Sequence, residues 1–137
     1  MEAGSADEEL RIALQRVARR IRANRVNDLS DTQLSVLFAL SKGDRSPGEL
    51  AELEMVSPPS MNRTLNSLEE AALVERHPAE GDARKVRVTI TKTGRKTVER
   101  TRRLRTEWFI RQLEQLDERE REILHAAIPI LHRLAGQ

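Results

Sequence analysis

Residues 46–68 read Ser46-Pro-Gly-Glu-Leu-Ala-Glu-Leu-Glu-Met55-Val-Ser57-Pro-Pro-Ser-Met-Asn-Arg-Thr-Leu-Asn-Ser-Leu68. Ser46 with Glu49 three residues on is a capping box, which predicts a short helix over Pro47–Glu54. Met55-Val-Ser57 then breaks the pattern. The two prolines that follow do not argue against a second helix. They stand at its first two positions after a serine cap, where a backbone N–H has no intrahelical partner. That helix is expected from Pro58 to about Ala71, with Met61, Leu65, Leu68 and Ala72 as its apolar stripe. Pro59, Arg63, Asn66 and Glu70 form the opposite face, flanked by Ser60, Asn62 and Ser67. A short helix, a three-residue turn and an amphipathic helix make a helix-turn-helix.

The flanks extend this frame. Upstream, Ser5-Ala-Asp-Glu8 and Ser30-Asp-Thr-Gln33 also fit the capping box. The first predicts a helix over about residues 7–24 with Leu10, Leu14, Val17 and Ile21 on one face. The second predicts Asp31–Lys42, stopped by Gly43. Downstream, the period changes from 3.6 to 2. Val86, Val88 and Ile90 alternate with Arg87, Thr89 and Thr91, which predicts a half-buried strand. Leu73–His77 is its expected partner, with the turn in Pro78-Ala-Glu-Gly-Asp82. Thr91-Lys-Thr-Gly94 opens a long helix to about Leu116. Asp117 caps a last one, which Pro129 should kink or divide.

Composition removes whole classes of function. The 137 residues contain no cysteine, so disulfide scaffolds, thiolate metal sites and thiol nucleophiles are excluded. No metal or other cofactor is expected. His125 and His132 stand seven residues apart, ~10.5 Å along a helix, and His77 belongs to the hairpin. No apolar run approaches a membrane span and the N-terminus is not signal-like, so the expected location is cytoplasmic. There is no Gly-rich phosphate loop, no His-Glu-x-x-His and no serine elbow, so the chain does not read as an enzyme.

A net charge of +2 conceals strong segregation. Residues 10–25 hold six arginines and no acid. Residues 84–105 hold ten basic groups against Glu99 alone, a footprint suited to a polyanion. The central segment is acidic in balance.

These features point to double-stranded DNA. In a helix-turn-helix the second helix enters the major groove with its N-terminal residues nearest the bases. Arg63 suits guanine O6 and N7, and Asn62 or Asn66 suits adenine N6 and N7. Ser57 and Ser60, with the free N–H groups of the first turn, suit a phosphate oxygen. The prolines reduce that donor count, which shifts phosphate capture toward Ser46 and Gly48. On the hairpin, Arg84 suits a minor groove, with Asp82 holding its side chain and Lys85 beside it.

The same residues resemble a known family. Glu49-Leu-Ala-Glu-Leu53, Val56-Ser-Pro-Pro-Ser-Met-Asn-Arg-Thr-Leu65 and Ser67-Leu-Glu-Glu-Ala-Ala-Leu-Val-Glu-Arg76 are similar to the MarR family of winged-helix transcription regulators. Asp82-Ala-Arg84 and Thr91-Lys-Thr-Gly94 resemble its wing and the helix start that follows, and Leu29-Ser-Asp-Thr-Gln33 the opening of its second helix. The resemblance spans roughly residues 10–134. It implies a mainly α winged helix-turn-helix with a small β-hairpin, whose terminal helices form a homodimer. It further implies a repressor bound to pseudopalindromic DNA and released by a small-molecule effector, often an aromatic acid. Carried over, Ser57, Ser60, Asn62, Arg63 and Asn66 become recognition-helix contacts, Arg84 the wing arginine and Asp82 its orienter. Two positions depart from the family. Ala72 and Met55 stand where it favours glycine, and a left-handed Ala72 carries roughly 1–2 kcal/mol of strain.

The expected organisation is a single domain over 1–137, with a DNA-binding lobe at 30–91 and dimerisation helices at 7–25 and 95–135. The dimer has independent support. Ile123, Leu124, Ile128, Ile130, Leu131 and Leu134 cover more than one face of a terminal helix with no obvious intrachain partner. The competing reading is a winged helix used as a protein-interaction module without sequence-specific DNA binding. Retention of Asn62, Arg63, Asn66 and Arg84 favours DNA.

Overall fold

The computed structural model describes residues 2–79 and 81–136; the side chains of residues 2, 3 and 82–84 lie outside the described set. The elements follow in the order α1 (Glu2–Ala23), α2 (Asp31–Lys42), α3 (Pro47–Glu54), α4 (Pro58–Glu70), β1 (Val74–Ala79), β2 (Asp82–Ile90), α5 (Lys92–Leu113), α6 (Glu118–Ala126) and α7 (Ile128–Leu134).

Caps set most of these boundaries. Ser30 and Ser46 each accept from the third helical amide while Gln33 and Glu49 reach back to the cap's own N–H. Asp117 and Glu120 repeat the arrangement at α6, and the Thr91 hydroxyl accepts from the Gly94 amide at α5. The expected cap at Ser5 does not form. α1 already runs from Glu2, so Ser5 lies inside it. Nothing in Glu2–Asp7 breaks a helix: Gly4 has open space around it, and the acids Asp7, Glu8 and Glu9 suit the positive end of the macrodipole. At the other end Asn24 donates its side-chain amide to the Arg20 carbonyl at 2.9 Å and terminates the helix. Pro129 divides the last helix, with α6 ending at Ala126 and α7 starting at Ile128.

The hairpin is longer than expected. Pro78, Ala79 and Asp82 pair within the ladder rather than forming a wide turn. Val74 faces Ile90, Arg76 faces Val88 and Pro78 faces Val86, but Ala79 faces Asp82. Past the register break, residues 83–85 of β2 have no partner on β1 among the described residues. Proline, lacking an N–H, fits the last regular pair before it. On its other edge β2 meets the segment before α3, where Val88 and Arg45 exchange both backbone bonds at 2.7 and 3.3 Å. The alternation holds for Val88, which is fully buried, and in part for Ile90. Val86 is exposed because the hairpin has by then left the core.

That core is small and contiguous. Leu34, Val36, Leu37 and Leu40 of α2 meet Leu50 of α3, Met61, Leu65 and Leu68 of α4, and Leu73, Val74, Val88 and Val98. Ala72 drops out of the expected stripe, since it has left the helix and is exposed. α5 begins inside the lobe. A Cβ on Gly94 would lie 2.3 Å from the Leu73 carbonyl oxygen, so only glycine lets α5 start this close to β1. Thr97 and Thr101 are also buried and satisfy their hydroxyls on carbonyls four residues back. The lobe's core therefore extends beyond residue 91 into the first half of α5.

α1, α6 and α7 are different. Leu10, Ile123 and Leu134 are 57%, 58% and 70% exposed, and neither α6 nor α7 buries a residue. Arginines join α5 and the end of α1 to α2. Arg25 reaches Asp31 at 3.0 Å, and Arg105 reaches the Asn24 carbonyl at 3.0 Å. The Arg102 and Arg105 guanidiniums each stand 5.4 Å from the Phe38 ring centre. Burial among these groups holds the Arg105 guanidinium below its ordinary pKa.

Candidate nucleic-acid interface

The start of α4 combines a positive dipole end with a closed backbone. Ser57 is extended, and its Oγ accepts from the Ser60 amide at 3.2 Å. The Met61 amide is already bonded to the Ser57 carbonyl at 2.9 Å, and Pro58 and Pro59 have no N–H. The free first-turn amides expected there are absent, since each is missing or internally used. Any anion at this end must be held by side chains, with Ser57 and Ser60 hydroxyls nearest.

Beyond the first turn the helix sorts its residues by face. Met61, Leu65 and Leu68 are buried, whereas Asn62, Arg63, Asn66, Ser67 and Glu70 are exposed. Asn66 is not free. Its Oδ1 accepts a hydrogen bond from Arg76 Nη2 on β1, and Arg76 Nε stands 3.7 Å from Glu69. The sequence reading passed over Arg76. Its trace was a charge at an inward register position, on the same face of β1 as buried Val74.

Both turns that bound this motif are left-handed without glycine. Met55 ends α3 at φ 56°, ψ 43°, and Ala72 follows α4 at φ 61°. The chain carries the left-handed strain at both positions. Hydrogen bonds hold the strained residues: the Val56 amide to Ala51 at 3.0 Å, the Leu73 amide to Leu68 at 2.9 Å, and the Thr91 hydroxyl to the Ala72 carbonyl at 2.7 Å.

A groove of about 680 Å³ separates the start of α3 from the hairpin, lined by Ser46, Pro47, Glu49, Ala79, Lys85, Val86 and Arg87. The capping box fills its α3 side. The Ser46 amide donates to the Glu49 carboxylate at 2.9 Å, and the Glu49 amide donates to Ser46 Oγ at 3.1 Å. These Ser46 bonds, backbone first, hold the Glu49 carboxyl below its ordinary pKa, helped by Arg45 and Arg87. An anion approaching Ser46 thus meets a resident carboxylate. On the hairpin side Lys85 and Arg87 are exposed, and Arg87 Nε donates to Asp44 at 3.2 Å. The side chains of Asp82 and Arg84 lie outside the described residues. From this end the cationic surface continues along α5, where Lys92, Arg95, Lys96, Arg100 and Arg103 are exposed.

Among the described residues no group of three or more His, Cys, Asp or Glu side chains could hold a metal ion. No helix described is long and apolar enough to cross a membrane.

Comparison with known proteins places this geometry. Residues 27–85 match the model of the MarR family. Over 131 residues the chain is 38% identical to an uncharacterized HTH-type transcriptional regulator of Mycobacterium leprae, covering 94% of this chain and 92% of that protein. The chain belongs to the MarR family. It is accordingly a DNA-binding transcriptional regulator with a mainly α winged-helix fold. Solved structures share the fold along nearly the whole chain. A putative transcriptional regulator from Pseudomonas aeruginosa superposes with a TM-score of 0.84 at 32% identity, covering 99% of this chain and 96% of that one. The Mycobacterium tuberculosis protein Rv1404 gives 0.83 at 25% identity, covering 100% and 96%.

Proposed function

We propose that this MarR-family chain is a homodimeric repressor that binds a pseudopalindromic operator and is released by a small-molecule effector. The observation that carries the reading is the face of α4. It presents Asn62 and Arg63 to solvent behind a serine-capped first turn, with the cationic hairpin in the same lobe. In this reading α4 enters the major groove, with Arg63 on guanine and Asn62 and Asn66 on base edges. Ser57 and Ser60 hold phosphates through their hydroxyls, while Ser46, whose amide is taken by the Glu49 carboxylate, is the weakest of the serine contacts expected from the sequence. Lys85 and Arg84 follow the backbone into the minor groove, and Asp82 orients Arg84.

Dimerisation is supported by the apolar residues left uncovered on α1, α6 and α7, which a second copy would bury. The arms expected at 7–25 and 95–135 then join two lobes, each lobe reaching past residue 91 into the first half of α5. Release by an effector rests on the family resemblance. The Arg20 guanidinium 5.7 Å from the Trp108 ring centre supplies the cation and aromatic surface that an aromatic acid would engage.

The test is footprinting on the upstream region of the protein's own gene, with the oligomeric state measured by sedimentation. The expected result is a dimer that protects two half-sites about one helical turn apart, with protection lost on adding an aromatic acid such as benzoate. A monomer protecting one asymmetric site would overturn the dimeric reading. Protection indifferent to every effector tried would remove the release step.

A further inference from the structure

Arg76 and Asn66 lie ten residues apart on different elements, and Arg76 Nη2 donates to Asn66 Oδ1. A guanidinium has five donors and no acceptor. The amide oxygen is therefore the atom that faces Arg76, and the amide NH₂ is the one left to face outward. The arrangement is held from several sides. Arg76 occupies the β1 position paired with Val88, inward-facing beside Val74. Glu69 lies 3.7 Å from its Nε, and the side chain is only 24% exposed. That Nε is buried with no hydrogen-bond partner among the described residues, and the Arg76 hydrogen bond found there is the one from Nη2 to Asn66.

The consequence concerns base choice and rests on the reading of α4 as the base-contacting helix. A side-chain amide reads adenine with both its atoms, accepting from N6 and donating to N7. One lone pair of the Asn66 oxygen is taken by Arg76 and that oxygen is turned toward β1, which leaves the NH₂ as the group presented outward. Guanine offers two acceptors in the major groove, O6 and N7, whereas adenine sets its N6 donor against the same NH₂. We propose that Arg76 is a positioning residue that makes Asn66 a donor-only reader, selecting guanine over adenine at one operator position.

The experiment is a binding panel in which each operator base pair is varied in turn, run on full-length wild type, Arg76→Met, Arg76→Lys and Asn66→Ala. Met retains the apolar stem and removes the buried Nε, and thermal melts confirm that each variant is folded. Wild type should prefer guanine at one position, and Asn66→Ala should lose the preference there alone. Arg76→Met frees the oxygen, so preference at that position should swing toward adenine by about tenfold. Arg76→Lys, which still donates, should keep guanine. The proposal is overturned if Arg76→Met weakens all sequences evenly, or if it leaves guanine preferred where Asn66→Ala does not. It is equally overturned if Asn66→Ala changes no position. Arg63→Ala in the same panel separates the two levels. A position sensitive to Arg63 with none sensitive to Arg76 sinks only this inference, and a panel flat for Arg63 as well sinks the α4 reading beneath it.

Discussion

Arg105 Nε donates to the Asn24 carbonyl at 3.0 Å, joining α5 to the end of α1 across 81 residues of chain. The same guanidinium lies over Phe38 of α2. One side chain thus touches the arm, the lobe and the long helix that runs between them. Arg105→Met keeps the stem and removes the donor. It should lower stability by about 1–2 kcal/mol in urea denaturation, because the Asn24 carbonyl loses its partner. An unchanged midpoint would show that water replaces the guanidinium there.

The strain at Ala72 has the opposite sign. An L-residue at φ 61° is about 1–2 kcal/mol worse than glycine, part of which glycine returns through unfolded-state entropy. Ala72→Gly should therefore raise stability by about 0.5–1 kcal/mol and leave duplex affinity within twofold. Met55→Gly should behave similarly in stability, since its side chain is 91% exposed and gives up almost no packing. Loss of stability at either position would contradict the left-handed assignment.

Gly94 admits no such freedom. The 2.3 Å approach of an added Cβ to the Leu73 carbonyl oxygen is against backbone, which cannot swing aside. Gly94→Ala should lose about 3 kcal/mol by separating α5 from β1. Circular dichroism melts read this directly, and a variant as stable as wild type would refute the close contact.

Glu49 makes stability depend on pH. Its pKa is lowered in the folded chain, so its contribution is full above its ordinary value of 4.5 and is lost as pH falls through the folded value. Glu49→Gln retains a capping oxygen without the charge. Between about pH 6 and pH 3 the wild-type midpoint should fall further than that of Glu49→Gln. Parallel curves would show that the carboxylate gains nothing from Ser46.

Local chemistry was the legible part of this fold. The caps at Ser30, Ser46, Ser57, Thr91 and Asp117 act within three residues, so the sequence displays both partners of each bond. Met61, Leu65 and Leu68 declare themselves by period. Ser5 misled because its surroundings had cap chemistry without any residue that stops a helix upstream. Val86 misled because strand alternation says which way a side chain points and not where the core ends. The candidate site was legible as a list of exposed groups on α4 and the hairpin. Its internal bonds were not, because Arg76 to Asn66 and Arg87 to Asp44 depend on how separate elements stack. The closure of the α4 amides was half visible in the two prolines, and became complete only with the Ser57 hydroxyl in place.

With no open amide at the start of α4, affinity must come from side-chain cations and hydroxyls. The direct measurement is duplex affinity against salt for wild type, Arg84→Ala, Lys85→Ala and Arg63→Ala. Log K should fall steeply with log[salt] for wild type, and each hairpin substitution should reduce the slope by about one. Arg63→Ala should instead relax sequence preference by about 1–3 kcal/mol at one base pair. Binding that ignores salt, or that is absent on every duplex including the gene's own upstream region, would contradict the account.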